Sequence, residues 1–334
     1  MASFEKSLQI GIALDPIHLG TGGTRIGRVD LTIVRDPVTQ LPKIPGSSLA
    51  GVYRTYVAMR YEEERQSGQQ FQGRNKPFYP DCVGLGMDTT HGHCREPDCP
   101  VCTVFGFATA QGGGFAGLAS FSDAHVLLFP VPTRQGPMWV TAPMMLDTIG
   151  ITVNGLHENA AYLKSKGNPL NLGWLLLETC KYGQMDDIQK KLENLGIPDY
   201  MRNRLALVPD RLFAHIVNSN LEVRTSVSID PATGTAEDKA LFSYEALPRG
   251  TVLLWEIIAK NPAHFKVGGQ PITAVSNPES VRKVAQEAHP YLEHLGIGGM
   301  GTRGMGRVCV KHPGEEAGSA EESTPSGNEI NESQ

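Results

Sequence analysis

An α+β fold is predicted by three observations: the order of extended and helical segments, one long helix with a single apolar stripe, and a glycine-rich loop entering a closing strand. Without its insertions the order reads strand, helix, strand, strand, helix, strand. That is the ferredoxin-like, RNA-recognition-motif order.

The first strand is expected at residues 8–14, where apolar positions alternate, followed by a long Gly- and Pro-rich connection to Gly46. A helix then begins, with Ser47 or Ser48 as cap. Leu49, Val52, Tyr53, Tyr56, Val57 and Arg60 fall at the three-and-four spacing of one buried stripe. Residues 66–115 are polar, cysteine-bearing and glycine-rich, and read as an insertion. Residues 118–130 resume as strand, with a bend at Phe121. A second insertion, 131–249, holds a strand near Trp139 and short helices around 159–163, 186–195 and 210–218. It ends in a hairpin with arms 221–229 and 239–247, whose turn opens with Asp230, Pro231, Ala232, Thr233 and Gly234. An apolar strand at 251–259, a helix at 278–295 capped by Ser276 or Asn277, and a last strand at 306–311 complete the core. The expected organisation is therefore one domain over 1–313, with core segments at about 8–65, 116–130 and 250–311, and a tail at 314–334.

The chain has 334 residues, a formal charge of −5 and 40% hydrophobic content, enough for one sizeable core. It has no run of eighteen apolar residues and no signal-peptide core at its start, so a soluble, cytoplasmic protein without membrane contact is expected. Six acidic residues and no base lie between Gly314 and Gln334, which reads as a disordered acidic tail. The remainder is close to neutral. Any nucleic-acid binding must then rest on local arginines and backbone amides.

Four of the six cysteines crowd together as Cys82, Cys94, Cys99 and Cys102, with His91 and His93 beside them. Thiolates spaced Cys-x11-Cys-x4-Cys-x2-Cys can close a tetrahedral Zn²⁺ site, structural because all four positions are protein ligands, and a histidine could replace one sulfur. Such a site would fold an insertion poor in apolar residues. Pro45-Gly46-Ser47-Ser48 at a helix start is an anion-binding arrangement, with Lys43 before it and Arg54 about two turns further on. A well-capped helix without ligand would look the same. Gly298, Gly299, Gly301, Gly304 and Gly306 let the chain approach a ligand closely, and Arg303 and Arg307 add charge for phosphates. No Gly-Lys-Ser or Gly-Lys-Thr closes this run, so it is not a nucleotide P-loop.

Taken together, four ordered segments carry a resemblance: Ile17-His18-Leu19-Gly20-Thr21-Gly22; Asp30 with Arg35-Asp36-Pro37 and Ile44-Pro45-Gly46-Ser47-Ser48-Leu49; Val104-Phe105-Gly106 with Ser122-Asp123; and the glycine run 298–306. They resemble the RAMP superfamily, and within it the backbone subunits of type III CRISPR effectors, above all the Cmr fourth-subunit family, with the Csm counterpart similar at the first and last motifs. Trp139 to Pro143, Val223-Arg224-Thr225, Thr233-Gly234-Thr235 and Ala240-Leu241-Phe242 extend it. One departure is Ser48-Leu49-Ala50-Gly51, where the family carries a lysine at the third place.

The resemblance implies an antiviral ribonucleoprotein subunit that polymerises with copies of itself along a guide CRISPR RNA, joins other type III effector subunits and cleaves complementary target RNA. Guide contacts would come from Gly20, Gly22, Lys43, Ser47, Ser48, Arg54, Arg224, Gly299, Gly301, Arg303, Gly304 and Gly306. The hairpin would be the thumb that reaches over a neighbour, and RNA so held is read by shape and backbone. Asp30 would be the catalytic residue, with Mg²⁺ or a similar ion, and His18 and Glu245 assistants; taken alone, a loop aspartate is more often a turn residue. A filament subunit with a silent nuclease site, and a metal-independent RAMP processing nuclease with histidine acid–base chemistry, are the other readings.

Overall fold

The computed structural model describes residues 2–22, 29–68, 70–71, 74, 76–84, 92–109, 113–157, 159–236 and 241–311. The predicted acidic tail and His91 lie outside the described residues.

Four largely apolar segments form the core strands, and they pair antiparallel in the order Val308–Lys311, Phe4–Ala13, Val252–Lys260 and Ala124–Val131. In chain order this is 4-1-3-2, the ferredoxin-like arrangement. The sheet is close-packed at Gly11, where a Cβ would come within 2.7 Å of the Trp255 ring. A bend at Phe121 separates the short strand Ala119–Phe121 from Ala124–Val131, and Lys43–Ile44 joins the latter.

The helix Gly46–Gln66 buries Leu49, Tyr53 and Val57 of the predicted stripe, and leaves Val52, Tyr56 and Arg60 half-buried. Its cap differs from expectation: Pro45 is the N-cap and no side chain caps it. The Gly46 N–H instead donates to Asp123 Oδ1 at 2.8 Å, and a Cβ at Gly46 would meet the Phe121 carbonyl at 2.5 Å. Tyr53 holds the layer to the second helical segment through a 3.0 Å hydrogen bond between its hydroxyl and His289 Nε2. That segment, expected as one helix, is two, Pro278–Gln286 and His289–His294, with Asn277 and Ser280 forming a capping box at its start.

The second insertion does not form a separate layer. Met138–Thr141, Leu205–Leu207, Ala160–Leu163, Leu175–Lys181 and Leu170–Leu172 continue the core sheet beyond Ala124–Val131, giving eleven strands among the described residues. Residues 159–163 therefore correct the sequence reading. Alanine-rich and helix-prone locally, they pair in parallel with Leu175–Lys181, and sheet pairing overrides the weak propensity. The helices at Met185–Asn194 and Asp210–Ser219 are where the spacing puts them.

Candidate functional site

The loop after the first strand and the return arm of the hairpin, Phe242–Ala246, are sewn together. Ile17 and Leu247 exchange two backbone hydrogen bonds of 2.9 Å; Leu31 donates to Ser243 O at 3.1 Å and accepts from Glu245 N at 3.0 Å. The outgoing arm, Glu222–Ser226, pairs with the return arm from Glu222 opposite Ala246 to Ser226 opposite Phe242.

This sewing sets Asp30 against Ser243. Asp30 Oδ2 accepts from the Ser243 N–H at 2.7 Å and from its hydroxyl at 2.9 Å. Those two bonds, the backbone one first, hold the exposed Asp30 carboxyl below its ordinary range. Asp30 is thus a fixed, ionised carboxylate, and no group of another described residue hydrogen-bonds its second oxygen.

His18 is buried under the same arm. Its Nδ1 donates to the Glu245 carbonyl at 2.6 Å, and its ring meets Tyr244 edge-on at 5.6 Å. A carbonyl only accepts, so Nδ1 carries a proton and Nε2 is the ring nitrogen left for other partners. Glu245 itself is engaged elsewhere: its Oε2 accepts from Arg35 Nη2 at 2.8 Å and from the Ile33 N–H at 3.4 Å. Arg35 also reaches Asn218 Oδ1 and the Ile33 carbonyl. The Glu245 carboxylate thus rivets the loop to the hairpin.

The glycine loop closes the other wall. The Gly299 N–H donates to the His18 carbonyl at 2.9 Å. Gly298 has φ +91°, and a Cβ there would lie 2.4 Å from that carbonyl, so only glycine fits. Arg303 leaves the loop to meet Ser226 Oγ at 3.2 Å and the face of Phe242 at 5.9 Å. Gly301 and Gly304 are exposed, and Gly306 donates to the Pro16 carbonyl at 2.9 Å. His18, Gly20, Gly22, Leu31, Gly299 and Met300 line an open cleft of about 360 Å³.

The other residues expected to touch RNA divide. Ser47 is exposed and Ser48 half-buried at the helix start, but that start already faces an anion. Asp123 accepts from Gly46, and its Oδ2 is 2.6 Å from Lys43 Nζ, which raises the Lys43 pKa and lowers that of Asp123. Lys43 is committed inside the protein. So is Arg54, whose Nη2 donates to the carbonyls of Phe105 and Gly106, the latter at 2.6 Å. Arg224 bonds Glu222 at 2.6 Å and stays partly exposed. Together with Arg249 and Arg307 it surrounds Asp15, whose carboxyl Arg307 above all holds below its usual range. Sequence reasoning missed Arg249, Asp15 and Ser243. Only the hairpin's position could have hinted at Ser243, because 213 residues separate it from Asp30.

In the first insertion the sulfurs of Cys82, Cys94, Cys99 and Cys102 all lie within 4.8 Å of one another. Cys94 and Cys102 are 3.6 Å apart, and Cys82 and Cys99 4.0 Å. Tetrahedral sulfurs about 2.3 Å from a zinc ion stand roughly 3.8 Å from each other, so the four fit such an ion. Cys99 caps the helix Pro100–Phe105 by accepting from the Cys102 N–H. Burial pushes the Cys99 thiol up, while hydrogen bonding, from Cys102 first, pulls the Cys94 thiol down. His93 Nδ1 is 4.0 Å from Cys102 Sγ, beside the set. The insertion is less core-poor than expected, since Phe78, Cys82, Cys99, Val101 and Cys102 are fully buried against the long helix and join the main core.

A ferredoxin-like core whose last strand is entered through a glycine loop, with a hairpin rooted beside it, is the class of protein that fold and site define. A model of the RAMP superfamily matches residues 12–309, and the chain belongs to that superfamily. It is 25% identical over 281 residues to the CRISPR system Cmr endoribonuclease Cmr4 of Pyrococcus furiosus, covering 77% of this chain and 82% of that one. A shorter match, 43% identical over 51 residues, joins 15% of this chain to 22% of the Csm3 endoribonuclease of Mycobacterium tuberculosis. Among solved structures, a type III-B Cmr-beta complex bound to cognate target RNA contains a similar chain: TM-score 0.59, 16% identity, 93% of this chain and 98% of that one covered. A crystal structure of Cmr4 superposes with TM-score 0.55 at 19% identity, over 92% of this chain and all of that one. These likenesses show a shared fold.

Proposed function

We propose that the chain is a backbone subunit of a type III CRISPR effector, binding guide RNA, assembling with copies of itself and with other effector subunits, and cutting paired target RNA at Asp30. The observation that carries this reading is the Asp30 carboxylate, ionised, exposed on one oxygen and anchored through the other to the root of the hairpin. The likeness to a protein named as a Cmr endoribonuclease supports it. No described helix is long and apolar enough to cross a membrane, in keeping with a cytoplasmic complex.

In this reading a target nucleotide splayed by the hairpin of an adjacent copy presents its 2′-hydroxyl to the free oxygen of Asp30, which accepts its hydrogen bond and orients it. The 2′-oxygen bonds to phosphorus, the bond from phosphorus to the 5′-oxygen breaks, the hydroxyl proton leaves through Asp30 or water, and the 5′-oxygen takes up a proton. The products are a 2′,3′-cyclic phosphate and a 5′-hydroxyl. The described residues bring no second free carboxylate to Asp30, because Glu245 is paired with Arg35. By themselves they do not build a divalent-cation site. The cysteine cluster does fit Zn²⁺, which would hold the short helix Pro100–Phe105 against the long one.

A silent site is the second reading, favoured by the fact that both bonds to Asp30 Oδ2 come from within the chain and serve to pin the hairpin. The RNA that copurifies with the complex, and the ends it leaves on a complementary target, separate the two. Regularly spaced cuts bearing 2′,3′-cyclic phosphate support cutting; bound guide with intact target supports silence.

A further inference from the structure

Two arginines flank the cysteine cluster; the carboxylate beside one is the largely exposed Asp98, and among the described residues none pairs with the other. Arg54 comes from the long helix, half-buried, and its guanidinium caps the carbonyl end of the helix that carries Cys102. Among the described residues no carboxylate pairs with it. Arg74 comes from the segment before Cys82, with its guanidinium carbon 4.1 Å from the centre of the Phe78 ring and its Nη2 buried without a hydrogen-bond partner. The carboxylate nearest to it, that of Asp98, is 4.0 Å away on a side chain that is 69% exposed, while the Arg74 side chain is 11% exposed.

A guanidinium does not give up its proton, so each of these keeps its charge under partial burial, at a cost of several kcal/mol unless opposite charge lies close. The opposite charge near both is sulfur. The cysteines whose charge would act on Arg54, which is held to the end of the helix that carries Cys102, are Cys102, Cys82 and Cys99. The cysteines whose charge would act on Arg74 are Cys99, Cys94 and Cys82. Four thiolates around a divalent ion carry a net charge of −2, which two guanidinium ions neutralise. With neutral His93 in place of one thiolate, one positive charge would be left over; with four neutral thiols, both would.

We propose that Arg54 and Arg74 are the counter-charges of an all-thiolate divalent metal site, selecting four sulfurs over a sulfur–histidine set and tying the metal to the long helix. This rests on the zinc reading above. It also gives Arg54 a positioning role in place of an RNA contact.

The test uses the full chain purified under reducing conditions, with zinc per chain measured and its transfer to an excess colorimetric chelator timed. Wild type should hold about one zinc, and Arg54→Met and Arg74→Met should each release it about 10- to 100-fold faster, the usual cost of losing an outer-shell partner. Arg54→Lys and Arg74→Lys, which keep the charge, should release it near the wild-type rate. Cobalt substituted for zinc in wild type should show the absorption of four thiolates. Wild-type release rates in both methionine variants, or a nitrogen ligand in the cobalt spectrum, would overturn the proposal. If the methionine variants do not fold, zinc loss from the lysine variants overturns it equally, because charge would then not be what matters. Wild type that takes up neither zinc nor cobalt shows instead that the metal reading itself is wrong.

Discussion

The cysteine cluster and the Asp30 corner are built in opposite ways. Cys82, Cys94, Cys99 and Cys102 fall within a short stretch of chain and converge on one point, whereas Asp30, His18, Ser243 and Glu245 come from two segments more than 200 residues apart, joined by backbone pairing. Spacing announces the first kind of site. The second depends on which loop a hairpin arm happens to sew, and its functional groups are shared out by side-chain alternation. Along Ser243, Tyr244 and Glu245, one residue holds Asp30, the next is buried against His18 and the third salt-bridges Arg35.

The comparison can be broken most forcefully at the cluster. Cys99→Ser removes a sulfur of the proposed zinc set while leaving a hydroxyl that can still cap the helix Pro100–Phe105, so zinc content should fall below about one tenth per chain and limited proteolysis should open the cysteine-bearing insertion. Zinc retained at the wild-type level would show that Cys99 is not a ligand.

A smaller loss is expected at the rivet of the Asp30 corner. Glu245→Ala leaves the Arg35 guanidinium without its carboxylate partner, with side chains only 21% and 15% exposed. A charged hydrogen bond of this kind is worth about 1.5–3 kcal/mol, and partial exposure brings the expected destabilisation to about 1–2 kcal/mol. Denaturant unfolding of the purified chain measures it, and cutting should fall along with stability because the loop and hairpin separate. Full cutting in a destabilised variant would show that the rivet serves the fold alone.

Ser243→Ala should act on chemistry with little effect on stability. Losing one of two hydrogen bonds to Asp30 should slow single-turnover cutting about 5- to 10-fold at neutral pH. The sign of the pH effect follows from the depressed Asp30 pKa. Ionised Asp30 is present above that value and lost as pH falls through it, so the acid limb of cutting lies below the ordinary carboxylate range. Removing the hydroxyl raises the Asp30 pKa towards its ordinary value and moves that limb upward, while Ser243→Thr keeps it. An unmoved acid limb in Ser243→Ala would separate the limb from Asp30.

The smallest effect belongs to the arginines around Asp15. Replacing Arg249, which is exposed, should weaken RNA binding slightly and lower the salt slope by about one phosphate contact.

Much of the fold was legible because local pattern encodes it: the stripe through Leu49, Tyr53 and Val57, the apolar runs of the core strands, the turn at Asp230 and the cap at Asn277. What local pattern could not carry was pairing. Ala160–Leu163 is strand because Leu175–Lys181 lies beside it, and Lys43 and Arg54, which read as phosphate contacts, are paired with Asp123 and with the carbonyls of Phe105 and Gly106. Charge in a sequence does not say whether it faces outward.

The central claim is that the Asp30 carboxylate serves cutting and not assembly. Asp30→Asn tests it most directly, since asparagine keeps an acceptor oxygen for Ser243 and removes only the charge. In complexes reconstituted with guide RNA, mass and target affinity should match wild type, while the single-turnover rate of target cutting falls by at least about 100-fold. Cutting near the wild-type rate, or complexes that fail to form, would contradict it.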